Sequence, residues 1–582
     1  MTERVLHFNG VNGSTGAYGL EPMTDAQLSA RIVSVAEAPE NLDALQKRAR
    51  RESLERLNDE LDRLETLLEM ATDDAMIAEL EKQIVALERE KAEKYLGVVE
   101  GVDGTKVEEA GWGVIFGAKN PHLAQLKEAL KPLLDLRQEQ TGDYFRMYEK
   151  GKGRRSDESA SKFLKRHGAS VSDPADPEKA PYYLLIVGDP EEIDYRFQYQ
   201  LDVQYAVGRI DFGDDFEAYY NYANSVAQAA RGNVRLAPQA TFFGVANPDD
   251  RATNLSAENL IQPLFDALTS PPLHSPPLGG DRGGGVGCEH WQMSALLRDK
   301  ATKAAISNLL NGGEAPAFLF TASHGMEFSL DDTRQRPHQG ALLCQDWPGP
   351  DQWRGEIPQD LYLAGDDLTG DANLLGMIAF FFACFGGGTP LYDEFSKAEQ
   401  REKRRTIAER PFVAALPQAM LRLSKGGALA VVGHVDRAWG SSFLDSQNAQ
   451  QIGVFRSAVE SLLKGKPVGM AMEYFNGRYA ALSTELTVQL EEIDFGGNYE
   501  PYELAGMWAS NNDARGYVIV GDPAVRLPVA QADESVTGRT ELTSAPPPTI
   551  AAPKTVTRPP EIPEADWERT PESVKRYIGG LQ

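Results

Sequence analysis

Two segments sixty residues apart carry the side chains best suited to covalent chemistry: Phe318-Leu319-Phe320-Thr321-Ala322-Ser323-His324-Gly325 and Ala379-Phe380-Phe381-Phe382-Ala383-Cys384-Phe385-Gly386-Gly387-Gly388. Each is an apolar, strand-like run that ends in one reactive side chain with glycine close behind. A thiol with a reference pKa of about 8.5 is only a few per cent thiolate at neutral pH. An imidazole titrating near 6.5 can take its proton and later return it to a leaving amine. Cys384 and His324 could therefore form a nucleophile–base dyad for acyl transfer. Backbone N–H groups at Gly325 and Cys384 could point at the developing oxyanion, and loss of one such donor typically costs about 3 kcal/mol. Glycine at 325 and from 386 onward would let the backbone turn and let a substrate chain approach closely.

That chemistry requires the two runs to be neighbouring strands of a parallel sheet, so that both side chains emerge at its carboxyl rim. The surrounding text agrees. From about Tyr182 the chain alternates strand and helix signals, with strands expected at Tyr182–Val187, Tyr205–Ile210, Thr241–Ala246, Ala317–Ala322, Met377–Cys384, Ala428–Val432 and Tyr517–Val520. An earlier candidate is Gly111–Phe116. This predicts an α/β fold with a mainly parallel sheet flanked by helices.

Before the sheet, residues 1–95 form a separate segment in which Asn9-Gly10, Asn12-Gly13 and Gly16 read as turns. Within it, 41–94 carries Leu57, Leu61, Leu64 and Leu68, then Ile77, Leu80, Ile84 and Leu87, at helical spacing on either side of Ala71-Thr72-Asp73-Asp74. An antiparallel helical hairpin fits, either packed on its own domain or serving a regulatory protein partner. The next units are an N-terminal α/β subdomain at 96–236 and a catalytic domain at 237–528. Pro/Gly-rich Ser270–Gly287 and polar Ser396–Arg410 read as insertions. A Pro-rich linker follows in 529–582, ending in a docking helix signalled by Thr570-Pro571 with Trp567, Val574, Tyr577, Ile578 and Leu581 as anchors.

Composition narrows the partners. The 582 residues include 86 acidic against 59 basic, a formal charge of −27 that disfavours nucleic acid and anionic membrane and welcomes basic peptides. Cys288, Cys344 and Cys384 have no paired spacing for zinc or a disulfide framework, which suits a cytoplasmic protein. No signal-peptide pattern opens the sequence and no apolar stretch approaches the roughly 20 residues of a membrane span. No cofactor or metal is expected. The doublets Asp214-Asp215, Asp331-Asp332 and Asp366-Asp367 lack a calcium loop around them, and Gly386-Gly387-Gly388-Thr389-Pro390 lacks the Lys-Ser/Thr of a phosphate loop.

An ordered set of segments from Tyr182 to Leu527 resembles the gingipain family of cysteine peptidases, within the caspase-like clan. The likeness runs through Tyr205-Ala206-Val207-Gly208-Arg209-Ile210, Thr321 to Glu327, Ala383-Cys384, Phe412 to Gly433, His434 to Trp439 and Val520 to Leu527. It implies peptide-bond hydrolysis by Cys384 and His324 with Gly325 and Cys384 at the oxyanion, and cleavage after Arg or Lys. Trp439 would shape the specificity pocket, with Asp202 as its acid and Asp436 or Asp445 as alternatives. Glu327 is a candidate orienting acid. His434 also falls at a strand end, but His324 is favoured because its glycine continues the oxyanion turn. Arg404 and Arg405, in Arg401-Glu402-Lys403-Arg404-Arg405, are a candidate processing site, as in a zymogen; a charged helical face explains the same residues. The resulting expectation is a regulated intracellular cysteine endopeptidase, in a bacterial defence or stress setting. The alternative is a catalytically latent scaffold or adaptor with the same fold.

Overall fold

The computed structural model describes residues 5–35, 97–170, 173–269, 290–393, 405–444, 450–494, 498–531 and 534–542, together with 559, 562–563 and 567. The expected helical hairpin at 41–94, the insertion from Ser270, Cys288, Arg404, Asp445 and the expected docking helix after Thr570 lie outside the described residues.

Ten strands form one sheet. In chain order they are β1 (Trp112–Phe116), β2 (Phe145–Tyr148), β3 (Tyr183–Val187), β4 (Ala206–Ile210), β5 (Gln239–Gly244), β6 (Gln292–Leu297), β7 (Phe318–Ala322), β8 (Ile378–Phe382), β9 (Ala430–His434) and β10 (Tyr517–Gly521). Their spatial order is β2-β1-β3-β4-β10-β9-β8-β7-β5-β6. Every neighbouring pair is parallel except β9 with β10. Two five-stranded parallel blocks thus run in opposite directions and meet at β9/β10. The carboxyl ends of β5, β7, β8 and β9 share one rim, whereas β10 ends at the opposite one.

The inner strands are nearly unbroken runs of Val, Ile, Leu and Phe because both faces of the sheet are covered. Every residue of β1, β3, β4 and β7 to β10 is buried. The outermost strands β2 and β6 are only partly covered, and these two were not among the strands expected from sequence. With one face open to water, they lose the apolar run that marks the inner strands. Phe320 of β7 stacks on Phe380 of β8 at 5.0 Å, which ties together the two strands that lead to His324 and Cys384.

The segments expected as a subdomain (96–236) and a catalytic domain (237–528) share this sheet, because β10 enters between β4 and β9. Just beyond β10, the Asp522 carboxylate accepts hydrogen bonds from Trp112 Nε1 at 3.0 Å and Arg137 Nε at 2.9 Å. Both members of the Arg137–Asp522 ion pair are buried, so removing one would strand a charge at a cost of about 3–5 kcal/mol.

A second, four-stranded sheet lies beside the rim in the order Tyr362–Leu363, Leu342–Leu343, Gly325–Glu327, Gly10–Asn12. Here the structure corrects a reading in part: the chain bends at Asn9, but Gly10 opens a strand that pairs in parallel with Gly325–Glu327. No described helix is long and apolar enough to cross a membrane.

Candidate active site

The register of β7 on β8 pairs Ala322 with Phe382. His324 and Cys384 each lie two residues beyond those neighbouring strand ends, at the same rim, and the Cys384 thiol points at the Ala438 carbonyl at 3.8 Å. Both are fully buried. Burial pushes the Cys384 thiol well above its ordinary pKa, and the nearby Arg437 guanidinium opposes that rise. Cys384 Sγ accepts the Ala438 N–H at 3.3 Å.

His324 is held from its far side. Its Nε2 lies 2.7 Å from Asp250 Oδ2, while its buried Nδ1 makes no hydrogen bond. Asp250 also accepts from the Tyr18 hydroxyl at 2.7 Å, from the Thr253 N–H at 3.1 Å and from the Thr253 hydroxyl. Burial alone would raise its pKa, but the imidazole and these donors outweigh burial and hold the carboxyl well below the usual carboxylate range. An ionised Asp250 keeps the proton on Nε2 and leaves the Nδ1 lone pair for chemistry.

Asp250 was not among the residues singled out from sequence. Its visible signal was that of an N-cap: Pro248-Asp249-Asp250 precedes helical text, and Asp250 does cap the helix Arg251–Ser256. Its reach to the imidazole comes from β5 lying beside β7. The orienting acid expected from sequence, Glu327, has a different partner. Its Oε1 accepts from Arg437 Nη2 at 2.8 Å, and the same buried guanidinium donates to Asp393 at 2.8 Å.

The main chain around the thiol is strained. Phe385 (φ +59°) and Asp436 (φ +73°) both adopt the left-handed region without being glycine. They face each other, the Phe385 N–H donating to the Asp436 carbonyl at 2.6 Å. Such conformations cost about 1–3 kcal/mol each and gather where function fixes a backbone. The adjacent glycine serves closeness rather than a left-handed turn, because a Cβ at Gly387 would stand 2.6 Å from the Gly433 carbonyl oxygen.

The N–H groups of Gly325 and Cys384 converge on a single acceptor, at 2.8 Å and 3.1 Å. Two amides aimed at one point beside a thiol are what stabilises a tetrahedral oxyanion. That acceptor is the main-chain carbonyl of Asn9.

The remaining expected residues divide. Trp439 is fully buried, donates its N–H to Asp513 Oδ1 at 2.9 Å and meets Phe8 edge-on at 4.5 Å, so it walls the groove holding the N-terminal strand. Asp202 ends the helix Tyr195–Asp202 at the amino end of β4, where burial raises its carboxyl and the Val207 main-chain N–H bonds it. Asp436 sits 3.4 Å from Arg437. Arg405 is exposed, and its carbonyl accepts the Asp393 N–H at 2.9 Å. His434 turns its Nε2 to the Asp513 carbonyl at 3.0 Å. Among the described residues, no group of three His, Cys, Asp or Glu side chains is placed to hold a metal ion.

No family model matches the chain, and a search of curated proteins finds no match. Among solved structures, one described as "Structure of Protease" aligns with a TM-score of 0.41 at 15% identity, over 72% of this chain and 78% of that one.

Proposed function

We propose that this protein is a caspase-like cysteine endopeptidase in which Cys384 is the nucleophile, His324 the base and Asp250 the residue that orients His324. The observation that carries this reading is the convergence of the Gly325 and Cys384 amides on one carbonyl oxygen, at the end of the strand bearing the thiol. Cys384 Sγ attacks the carbonyl carbon of a peptide seated there, and the thiol proton passes to His324 Nδ1. The amides take the oxyanion charge. His324 then delivers its proton to the leaving amine, and water attacks the thioester to regenerate the thiol.

The segments resembling gingipains support the same assignment; that resemblance alone implies Arg or Lys before the cut, and the pocket around Asn9 described below departs from it. The cytoplasmic setting, and regulation by a protein partner through the segment 41–94 or the C-terminal tail, belong to this proposal. Turnover of a fluorogenic peptide library by the wild-type chain, lost with Cys384→Ala and after thiol alkylation, tests it. The library also reads the residue before the cut. A latent scaffold is the second reading, favoured by the chain's own Asn9 filling the amide pair. It is selected if no thiol-dependent turnover appears, including after limited proteolysis.

A further inference from the structure

The segment His7–Asn12 runs through the site in the manner of a substrate. On one side of the thiol, the Asn9 N–H donates to the Ala438 carbonyl at 3.1 Å and the Gly440 N–H donates to the His7 carbonyl at 3.2 Å. These bonds pair Phe8 with Trp439 as an antiparallel strand. At the centre, the Asn9 carbonyl oxygen occupies the Gly325 and Cys384 amides. On the other side, Gly10–Asn12 pairs with Gly325–Glu327. Cys384 Sγ stands beside the junction: a Cβ added to Gly10 would lie 3.0 Å from it. The chain therefore passes the nucleophile with the Asn9–Gly10 bond at the reacting position, and the absence of a side chain at 10 makes that approach possible.

The Asn9 side chain is enclosed, with 1% of the residue exposed. Its amide nitrogen donates to Ser256 Oγ at 3.3 Å and to the Ser323 carbonyl at 3.4 Å. A main-chain carbonyl only accepts, so the Asn9 atom facing it must be the NH2 group. The Ser256 hydroxyl spends its own proton on the Thr253 carbonyl at 3.1 Å and offers a lone pair. This subsite presents acceptors to a short, neutral donor. A carboxylate would face repulsion there, and a long cationic side chain would exceed the enclosed space.

We propose that the Asn9–Gly10 bond is this enzyme's own first substrate, and that Ser256 and the Ser323 carbonyl form a primary pocket selecting a carboxamide before the cut. The proposal rests on the peptidase reading above. Cys384 Sγ bonds to the Asn9 carbonyl carbon, the bond to Gly10 nitrogen breaks, and the thiol proton passes through His324 to the new Gly10 amine. Water then hydrolyses the thioester, leaving Asn9 with a carboxylate and Cys384 with its proton. Cutting frees the segment ending at Asn9 from the rest of the chain and opens the groove along Ala438–Gly440 to other peptides. The candidate cut at Arg404 or Arg405 is not needed for this opening.

The full-length chain, purified rapidly as wild type, Cys384→Ala and Asn9→Asp, is incubated and followed by intact mass and N-terminal sequencing, with melting curves to confirm that each variant is folded. The expected result is a wild-type product beginning at Gly10, formed at a rate independent of protein concentration because the bond is already seated. The product is absent from Cys384→Ala and forms at least tenfold more slowly in Asn9→Asp. Asn9→Gln, which retains the carboxamide, is expected to retain more activity than Asn9→Asp. In a fluorogenic series on wild type, peptides ending in Asn should turn over at least tenfold faster than those ending in Asp or Arg. If library peptides are cut while Asn9–Gly10 stays whole, this proposal fails and the peptidase reading stands. If neither is cut, both fail. A product beginning at Gly10 in Cys384→Ala would overturn the proposal, since Asn-Gly would then be breaking without the thiol. A preference for Arg over Asn would overturn the pocket assignment.

Discussion

Two buried histidines stand at this rim, each beside an aspartate, and their surroundings differ. His324 follows β7 and receives a side-chain carboxylate, Asp250 Oδ2, on Nε2 at 2.7 Å. His434 ends β9 and points the same nitrogen at a main-chain carbonyl, that of Asp513, with the Asp513 carboxylate further off at 3.6 Å. The two carboxyl groups are shifted in opposite directions. Burial raises the Asp513 carboxyl despite the nearby imidazole and the Ser442 hydroxyl. For Asp250, the imidazole, Thr253 and Tyr18 outweigh burial. His434 is walled in by Tyr517 at 4.9 Å, ring edge to face, and burial lowers its pKa. A His-Asp pair at a strand end is therefore not a single kind of site. What separates the two is the partner of Nε2, a carboxylate for His324 and a main-chain carbonyl for His434.

The contrast can be broken most directly at the reacting groups. Cys384→Ala or His324→Ala should reduce turnover by at least about a thousandfold, with circular dichroism unchanged. If His324→Ala retained most activity while His434→Ala did not, the two roles would be exchanged. Next in size, Asp250→Asn keeps the helix cap but presents a neutral amide to Nε2. It should lower kcat by about a hundredfold to ten-thousandfold with little change in KM.

His434→Gln sharpens the other half of the comparison. Its turnover should stay within about fivefold of wild type, an effect worth about 1 kcal/mol. Its stability should lose part of its pH dependence. Because burial lowers the His434 pKa, the unfolded chain takes up a proton below about pH 6.5 before the folded chain does, so wild-type stability falls as pH drops through that window. The variant lacks this contribution, and the difference between denaturant melts of the two proteins across the window measures it. Smallest of all, Tyr18→Phe removes one hydrogen bond to Asp250, worth about 1 kcal/mol, and should slow turnover about fivefold in a steady-state assay.

Much of this arrangement was legible in the residues. Apolar runs followed by a reactive side chain and glycine identified β7 and β8, because inner strands covered on both faces must be apolar throughout. The edge strand β6 was not legible, since Gln292-Met293-Ser294-Ala295-Leu296-Leu297 has one face in water and follows a Pro/Gly-rich stretch. Asp250 was visible only as a helix cap, and Glu327, closer to the histidine in sequence, drew the orienting role. Sequence distance misled here because Glu327 follows the chain away from His324 toward Arg437, whereas β5 carries Asp250 back beside it.

The text of Asn9-Gly10 reads as a turn, and only tertiary pairing shows that the chain bends at Asn9 between a bridge of Phe8 to Trp439 and a strand at Gly10–Asn12 that runs beside Gly325–Glu327. By itself, then, the sequence determined the α/β class, the inner strands and the positions of Cys384 and His324 just past two of their ends. Those depend on local apolar pattern and residue type. Tertiary structure decided which acid serves the imidazole, which histidine is walled in and what occupies the amide pair. Each of these depends on contacts between residues tens to hundreds of positions apart, which no local pattern encodes.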